Sequence, residues 1–175
     1  MSELKESFHF LREIEPNTYM ECYGVDFEDF EEGQVFEHRP GRTFTEADCL
    51  KHALHSLDLS PYYADQDYAK RVQGERMQVM ETYVLSVMAV TTKTFGKVVA
   101  NLSMTNYTIE PVFVGDTLFF ESEILGKRES KSRPDQGLLH IRSRAQNQHG
   151  EWVSSFERKL LIYRRGVGPY RAAGY

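Results

Sequence analysis

The stretch LFFESEILGKRES, residues 118–130, alternates between apolar and charged side chains. Phe120 and Ile124 fall on one face of an extended chain, whereas Glu121 and Glu123 fall on the other. A repeat of two over this length predicts a long β-strand with one face in a core and one face in water.

Three further segments of the last third of the chain have the same character. They are VVANLSMTNYTIE (98–110), LLHIRSRAQNQ (138–148) and WVSSFERKLLIYRR (152–165). Segments rich in turn-forming residues, PVFVGD, RPDQG and HGE, separate the four strands. Long alternating strands joined by short turns predict an antiparallel meander, and its apolar face must be covered by another element.

The segment MQVMETYVLSVMAVTTKTF, residues 77–95, is the predicted cover of that face. It is apolar nearly all round, which is typical of a buried helix, although its β-branched residues leave a strand as the competing interpretation. A long helix wrapped by an antiparallel sheet is the hotdog arrangement. The predicted fold class is therefore α+β.

A second helix is predicted over residues 45–58, TEADCLKHALHSLD, with Thr45 as its N-cap and Asp48 three residues on. Helical spacing predicts a core face made of Ala47, Leu50, Leu54 and Leu57. A strand with a Pro-Gly interruption is predicted before this helix, in VFEHRPGRTF (35–44), and a short polar helix after it, in ADQDYAKRV (64–72).

Length and composition favour one globular domain. The chain has 175 residues, of which 41% are hydrophobic, and a formal net charge of −5, which excludes the basic footprint of a nucleic-acid-binding protein. The longest apolar stretch, residues 84–90, is far too short to span a bilayer. Two cysteines without a CxxC motif, and a start without an apolar signal core, predict reduced thiols and a cytoplasmic location.

Three motifs carry a resemblance to a known family. They are FEEGQVFEHRPGRTFTEAD (30–48), VANLSMTNYTIEPVFVGDTL (99–118) and KRESKSRPDQG (127–137) with the following NQHGE. Together they resemble the MaoC-like dehydratases, in the branch of mesaconyl-CoA-type hydratases. The resemblance runs over residues 27–165 as a single domain, with 1–26 as an N-terminal segment and 166–175 as a tail. It implies a hotdog dimer or double hotdog that adds water reversibly to a 2-enoyl-CoA.

The stretch DLSPYYAD (58–65) aligns with the active-site loop of that family, which reads roughly Asp-x-Asn-Pro-x-His. Asp58 takes the acidic position, Ser60 the Asn position and Tyr63 the His position. Glu81, at the start of the central helix, falls where the family tends to have Gly or Ser. The sequence thus departs from the family pattern at the chemical centre.

Hydration of an enoyl thioester requires a base for water, an acid for the α carbon and donors for the thioester oxygen. Asp58 is the expected base. Tyr63, with a reference pKa of about 10, is expected to donate a hydrogen bond or a proton, and Glu81 is a third catalytic candidate. Backbone N–H groups at the start of the 77–95 helix are the expected oxyanion donors.

The remaining candidates are substrate contacts, with neither a cofactor nor a metal expected. The predicted contacts are Ser60, Met80, Asn101, Lys131 and Arg133. His52 and His55 lie three apart on a helix, but no further ligands are evident, and a solvated surface is the preferred interpretation.

The expected ligand is an acyl-CoA or acyl-carrier thioester. A long sheet leaves an edge that a single chain must protect, so a homodimer or a higher even-numbered assembly is predicted. Three alternatives stay open: a non-catalytic hotdog subunit that completes the tunnel of an active partner, an acyl-CoA thioesterase, and a specialised biosynthetic dehydratase with altered acid and base groups.

Overall fold

The computed structural model describes residues 11–74, 76–90, 93–169 and 173. The strands are β1 (Leu11–Glu15), β2 (Thr18–Glu21), β3 (Val35–Thr43), β4 (Val98–Ile109), β5 (Thr117–Glu129), β6 (Gln136–Gln146) and β7 (Trp152–Tyr163). The helices are α1 (Glu46–Ser56), α2 (Pro61–Ala64), α3 (Gln66–Val72) and α4 (Glu81–Val90), with 3-10 turns at Phe27–Asp29 and Lys93–Phe95. Within the described residues, no helix is long and apolar enough to cross a membrane.

The predicted antiparallel meander is confirmed for β5, β6 and β7, but it is wrong for β4, which pairs with β7 at the edge and not with β5. Five strands pair in the order β3-β5-β6-β7-β4, while β1 and β2 form a separate hairpin. β5 and β6 bury every second residue over most of their length, as the alternation of the sequence requires. The sheet wraps α4, so the expected α+β hotdog architecture is confirmed, and β3 and β4 are its two edges.

The central helix is shorter than predicted, because the residues before it are extended. Gln78 forms an isolated antiparallel bridge with Phe113. The Val79 N–H donates to the Val112 carbonyl at 2.7 Å, so the backbone here bonds to another segment instead of winding into a helix. α4 therefore begins at Glu81, and the prediction of one helix over residues 77–95 is wrong at both of its ends.

The predicted core face of α1 is also wrong, although its N-cap is confirmed by the Asp48 N–H donating to Thr45 Oγ1 at 3.2 Å. The buried residues of α1 are Cys49 and Ala53. The predicted face of Ala47, Leu50, Leu54 and Leu57 is exposed, and Leu57 keeps 86% of its surface. Small side chains let α1 approach the core closely, so its larger leucines lie on the outer side.

A band of polar side chains crosses the inner face of the sheet between two apolar clusters. Ser122 lies between Phe120 and Ile124 on β5, and Ser143 occupies the equivalent place on β6. His38 Nε2 lies 3.0 Å from Ser122 Oγ, which lies 3.2 Å from Ser143 Oγ. The hydroxyl groups thus give the buried imidazole a hydrogen-bond partner, as burial of a polar group requires.

Arg158 completes this band on β7 and is only 2% exposed. Its guanidinium donates to the Ala89 carbonyl in the last turn of α4 at 2.7 Å and lies over the rings of Phe95 and Phe156. Burial lowers the pKa of Arg158 to about 10, so it remains charged at neutral pH. A cation at a helix C-terminus is electrostatically favourable, and Arg158 thereby anchors the far end of α4 to the sheet.

The buried His38 predicts a loss of stability in acid. Burial, Arg158 and Arg39 lower its pKa from 6.5 to about 4. Below pH 6.5 the unfolded chain binds a proton that the folded chain does not, so the free energy of unfolding falls by about 3 kcal/mol between pH 6.5 and 4. His38→Gln keeps a hydrogen-bonding group that does not titrate. Urea unfolding as a function of pH should show a clearly smaller loss in this variant, and equal losses would contradict the assignment.

Candidate active site

The segment that follows α1 is fixed by its own backbone. Leu57 ends the helix in the left-handed region with φ 56°, and the Asp58 N–H donates to the Ala53 carbonyl at 3.1 Å. Asp58 Oδ1 then accepts from the Ser60 N–H at 3.0 Å, and Pro61 opens α2. Proline suits the first helical position because its missing N–H has no partner there. These contacts fix the direction in which the chain leaves α1.

Tyr63 and Glu81 meet across 18 residues of sequence. The Tyr63 hydroxyl donates to Glu81 Oε2 at 3.2 Å, and both side chains are half-buried. Asp58 is close enough to act electrostatically on Tyr63. The structure therefore brings together all three residues that the sequence proposes as catalytic groups.

The Tyr63 hydroxyl keeps its proton at physiological pH. Burial, the negative charge and hydrogen bond of Glu81, Asp58 and Tyr107 together raise the pKa of Tyr63 to about 12. A phenol in such a setting holds its proton and presents an O–H group. The raised pKa makes Tyr63 a poor resting base, and its role as hydrogen-bond or proton donor in catalysis stays a prediction.

Glu81 has a second hydrogen-bond donor, which sequence reasoning missed. Gln78 Nε2 donates to Glu81 Oε1 at 3.3 Å, and Gln73 Nε2 donates to Gln78 Oε1 at 2.9 Å. The two glutamines lie five residues apart on irregular backbone, where no helical or strand period signals their contact. Each oxygen of the Glu81 carboxylate thus has one donor.

Tyr107 is a further group that sequence reasoning missed. It lies on the edge strand β4 and is 44% exposed. Burial of part of its ring and the charge of Glu81 raise the pKa of Tyr107. Because Tyr63, Glu81 and Tyr107 interact electrostatically, the group faces the β4 edge of the sheet.

The N-terminus of α4 lies within the same group. The N–H groups of Tyr83 and Val84 donate to the Met80 carbonyl at 2.9 and 3.2 Å. The N–H groups of Glu81 and Thr82 come before these and, as in the first turn of any helix, have no intrahelical acceptor. They are the donors available for a developing oxyanion, four residues later than the predicted helix start.

The predicted substrate contacts are not all brought together. Ser60 lies in the fixed loop, and the Met80 side chain is buried in the core at 5% exposure. Lys131 and Arg133 lie in the β5–β6 turn, at the end of the sheet opposite to the start of α4, about 40 Å along β5. Asn101 pairs with Leu160 near that end of β4. Within one chain these three residues do not contact the candidate site.

His52 is not the solvated surface residue that the sequence suggests. Its Nε2 lies 3.2 Å from Thr82 Oγ1, and its ring stacks on Tyr83 with centroids 4.8 Å apart. Arg42 donates to the Tyr83 hydroxyl at 3.2 Å from the opposite edge strand, β3. His52 thus helps to hold α1 against the start of α4. No group of three or more His, Cys, Asp or Glu residues arranged to hold a metal occurs in the described part of the chain.

Comparison with known proteins identifies the family of this chain. The family description of mesaconyl-CoA hydratase matches residues 8–172. Mesaconyl-CoA hydratase of Cereibacter sphaeroides is 29% identical over 152 residues, which cover 81% of this chain and 42% of that protein. The MaoC domain dehydratase structure from Chloroflexus aurantiacus superposes with a TM-score of 0.75 at 26% identity and covers 81% of this chain and 41% of that one.

A Mycobacterium tuberculosis protein with a double hotdog fold superposes with a TM-score of 0.71 at 25% identity, covering 83% of this chain and 46% of its own. The architecture is that of the MaoC-like hotdog dehydratases. Within that class, the chain belongs to the mesaconyl-CoA hydratase family. It spans about two fifths of the length of the relative from Cereibacter sphaeroides.

Proposed function

We propose that the protein is a hydratase/dehydratase that adds water to an enoyl thioester, or removes it from the 3-hydroxyacyl thioester, with coenzyme A as the carrier. The observation that carries the proposal is the hydrogen bond from Tyr63 to Glu81 at the start of α4, where the first N–H groups have no intrahelical acceptor. A proton donor, carboxylates and oxyanion donors are the groups that this reaction needs. Membership of the mesaconyl-CoA hydratase family supports the same chemistry.

The proposed mechanism divides the work between the two sides of the double bond. A carboxylate, Asp58 in the arrangement that the family loop implies, takes a proton from water as the water oxygen bonds to the β carbon. The electron pair of the double bond moves toward the thioester, where the N–H groups of Glu81 and Thr82 stabilise the charge on oxygen. Tyr63 then donates a proton to the α carbon. It recovers a proton from the Asp58 carboxyl group, so that one water is added overall.

The direct test is an assay of the purified chain against a panel of enoyl-CoA and 3-hydroxyacyl-CoA thioesters. Loss of enoyl absorbance and release of free thiol are followed in parallel. Water addition without thiol release is the expected result. Thiol release without water addition would contradict the proposal and identify a thioesterase.

Removal of the Tyr63 hydroxyl or of the Asp58 charge should impair turnover. Tyr63→Phe is expected to lower kcat by about 100-fold, which is the usual range for a general acid, and Asp58→Asn by at least as much. Tyr62→Phe is the matched control, since Tyr62 contacts Tyr68 and not Glu81. If both site variants keep wild-type kcat, the loop is structural.

The raised pKa of Tyr63 gives the reaction a distinctive dependence on pH. With a pKa of about 12 the phenol stays protonated, so kcat should not fall between pH 7 and 10 through loss of this acid. In Tyr63→His the acid has a reference pKa of about 6.5, and its protonated form is lost as pH rises. Its kcat should therefore decline by up to tenfold per pH unit above its pKa. A wild-type decline of the same shape would show that another group is the acid.

We also propose that a second hotdog unit, in the first instance a second copy of this chain, pairs with β4. This edge strand exposes Leu102 and Met104 by 53% and 47%, and an exposed apolar edge is a site for further pairing. The chain covers only 46% of the double hotdog protein, which leaves room there for a second unit. Tyr107 on the same strand places the candidate site beside this edge.

Charge introduced at the β4 edge should break the assembly. Leu102→Lys combined with Met104→Lys is expected to convert a dimer to a monomer in light scattering and to lower activity. Val35→Lys is the matched control, because Val35 is 52% exposed on the opposite edge strand β3. A wild-type monomer at micromolar concentration, or an unchanged mass in the double variant, would contradict pairing through β4.

One observation favours a second candidate function. Tyr63 stands where the family loop has histidine, which would suit a hotdog subunit that completes the tunnel of a different, active chain. In that case the purified protein is inactive toward every thioester of the panel and raises the activity of a coexpressed hotdog partner. Activity of the purified chain alone excludes this alternative.

A further inference from the structure

We propose that Gln78 is a positioning residue for Glu81, held in place by Gln73, and that this pair of amides fixes the orientation of the carboxylate that faces Tyr63. The inference rests on the proposed function and extends it to residues outside the predicted loop. Its basis is a continuous chain of side-chain hydrogen bonds, Gln73 to Gln78 to Glu81, with Tyr63 donating to Glu81 from the other side.

The direction of this chain follows from the chemistry of its last member. An ionised carboxylate only accepts hydrogen bonds, so Gln78 must turn its amide N–H₂ toward Glu81. The Gln78 carbonyl oxygen then faces Gln73, which must in turn present its own N–H₂ group. The observed donors, Gln78 Nε2 at 3.3 Å and Gln73 Nε2 at 2.9 Å, have this order.

Both glutamines are held by their backbones. Gln73 ends α3, with its N–H donating to the Ala69 carbonyl at 2.7 Å. Gln78 lies in the extended bridge to Phe113. The amide chain therefore links Glu81 to the end of α3, while Tyr63 links it to α2. Glu81 is therefore held by contacts from two consecutive helices, α2 and α3.

The stability of the fold does not explain why this series of hydrogen bonds ends at Gln73. Gln73 Oε1 is buried and has no hydrogen-bond partner among the described residues. A buried acceptor without a donor opposes folding, so an apolar side chain at this point would suit the fold better. The proposed role explains this arrangement: the Gln73 amide donates to Gln78, and the Gln78 amide is then oriented to donate to the Glu81 carboxylate.

The geometric result is a carboxylate with one donor on each oxygen. Each oxygen has a further lone-pair direction that remains available to a water or a substrate hydroxyl group. Rotation of the Glu81 side chain would break either the contact with Gln78 or the contact with Tyr63. Gln78 thus maintains the hydrogen bond between Tyr63 and Glu81 without contacting the substrate.

Gln78→Met and Gln78→Glu test the role, with Gln66→Met as the matched control. Gln66 also pairs with a glutamate, Glu46, but on the outer side of α3. Gln78→Met should lower kcat about tenfold with KM changed by less than about twofold, because a positioning group acts on the reacting geometry. Gln66→Met should match the wild type. A wild-type kcat in Gln78→Met would overturn the proposal.

Gln78→Glu supplies a readout that loss of packing alone does not produce. At pH 8 its carboxylate repels Glu81, and kcat relative to wild type should fall further than in Gln78→Met. As pH is lowered toward 5, a protonated Glu at position 78 donates again, and the ratio to wild type should recover. Tyr63 and Tyr107, whose pKa values are raised, stay protonated throughout, and the ratio to wild type cancels the effect of groups that both proteins share. A ratio that does not change with pH would contradict the proposed contact.

A stability cycle separates this inference from the proposed function. The Tm is measured for wild type, Gln78→Met, Glu81→Met and the double variant. If Gln78 acts on Glu81, the second substitution changes Tm much less when the first is already present. Additive shifts overturn the positioning role even if the enzyme is active. Non-additive shifts in a protein that hydrates no thioester support the contact and contradict only the proposed function.

Discussion

The hydrogen bond from Tyr63 to Glu81 joins the segment that follows α1 to the start of the central helix. Tyr63 belongs to the short helix that follows α1, and Glu81 begins the central helix under the sheet. Their contact fixes a phenol that retains its proton beside the carboxyl group of Glu81. It also places both groups at the positive end of α4, where a developing anion is stabilised.

The two ends of α4 make different contacts. At its C-terminus, buried Arg158 donates to the Ala89 carbonyl and ties the helix to the polar band across the sheet. At its N-terminus, Glu81 accepts a hydrogen bond from Tyr63 and the first backbone N–H groups have no intrahelical acceptor. The apolar residues Val84, Val87 and Met88 pack into the core between these ends, so polar groups at the N-terminus cost little core stability.

The sequence predicted β5, β6 and β7 well, because a period of two along strands joined by short turns leaves few alternatives, but it did not predict that β4 pairs with β7. It proposed Asp58, Tyr63 and Glu81 as separate catalytic candidates, and their proximity is a finding of the structure. It failed where tertiary contacts override local pattern. The bridge of Gln78 to Phe113 shortens α4, and the small Cys49 and Ala53 turn the leucines of α1 outward. Contacts of Gln73, Gln78 and Tyr107 depend on how distant segments pack, and no spacing in the sequence encodes them.

The central claim is that this site adds water across the double bond of a thioester, and the most direct measurement follows the oxygen atom. The purified protein is incubated with mesaconyl-CoA and other enoyl-CoA thioesters in water enriched in oxygen-18, and the products are analysed by mass spectrometry. The proposed mechanism predicts one labelled hydroxyl group on the acyl chain of an intact CoA thioester, formed by wild type and nearly lost in Tyr63→Phe. Label found only in a free carboxylate alongside free coenzyme A, or no labelled product from any thioester, would contradict it.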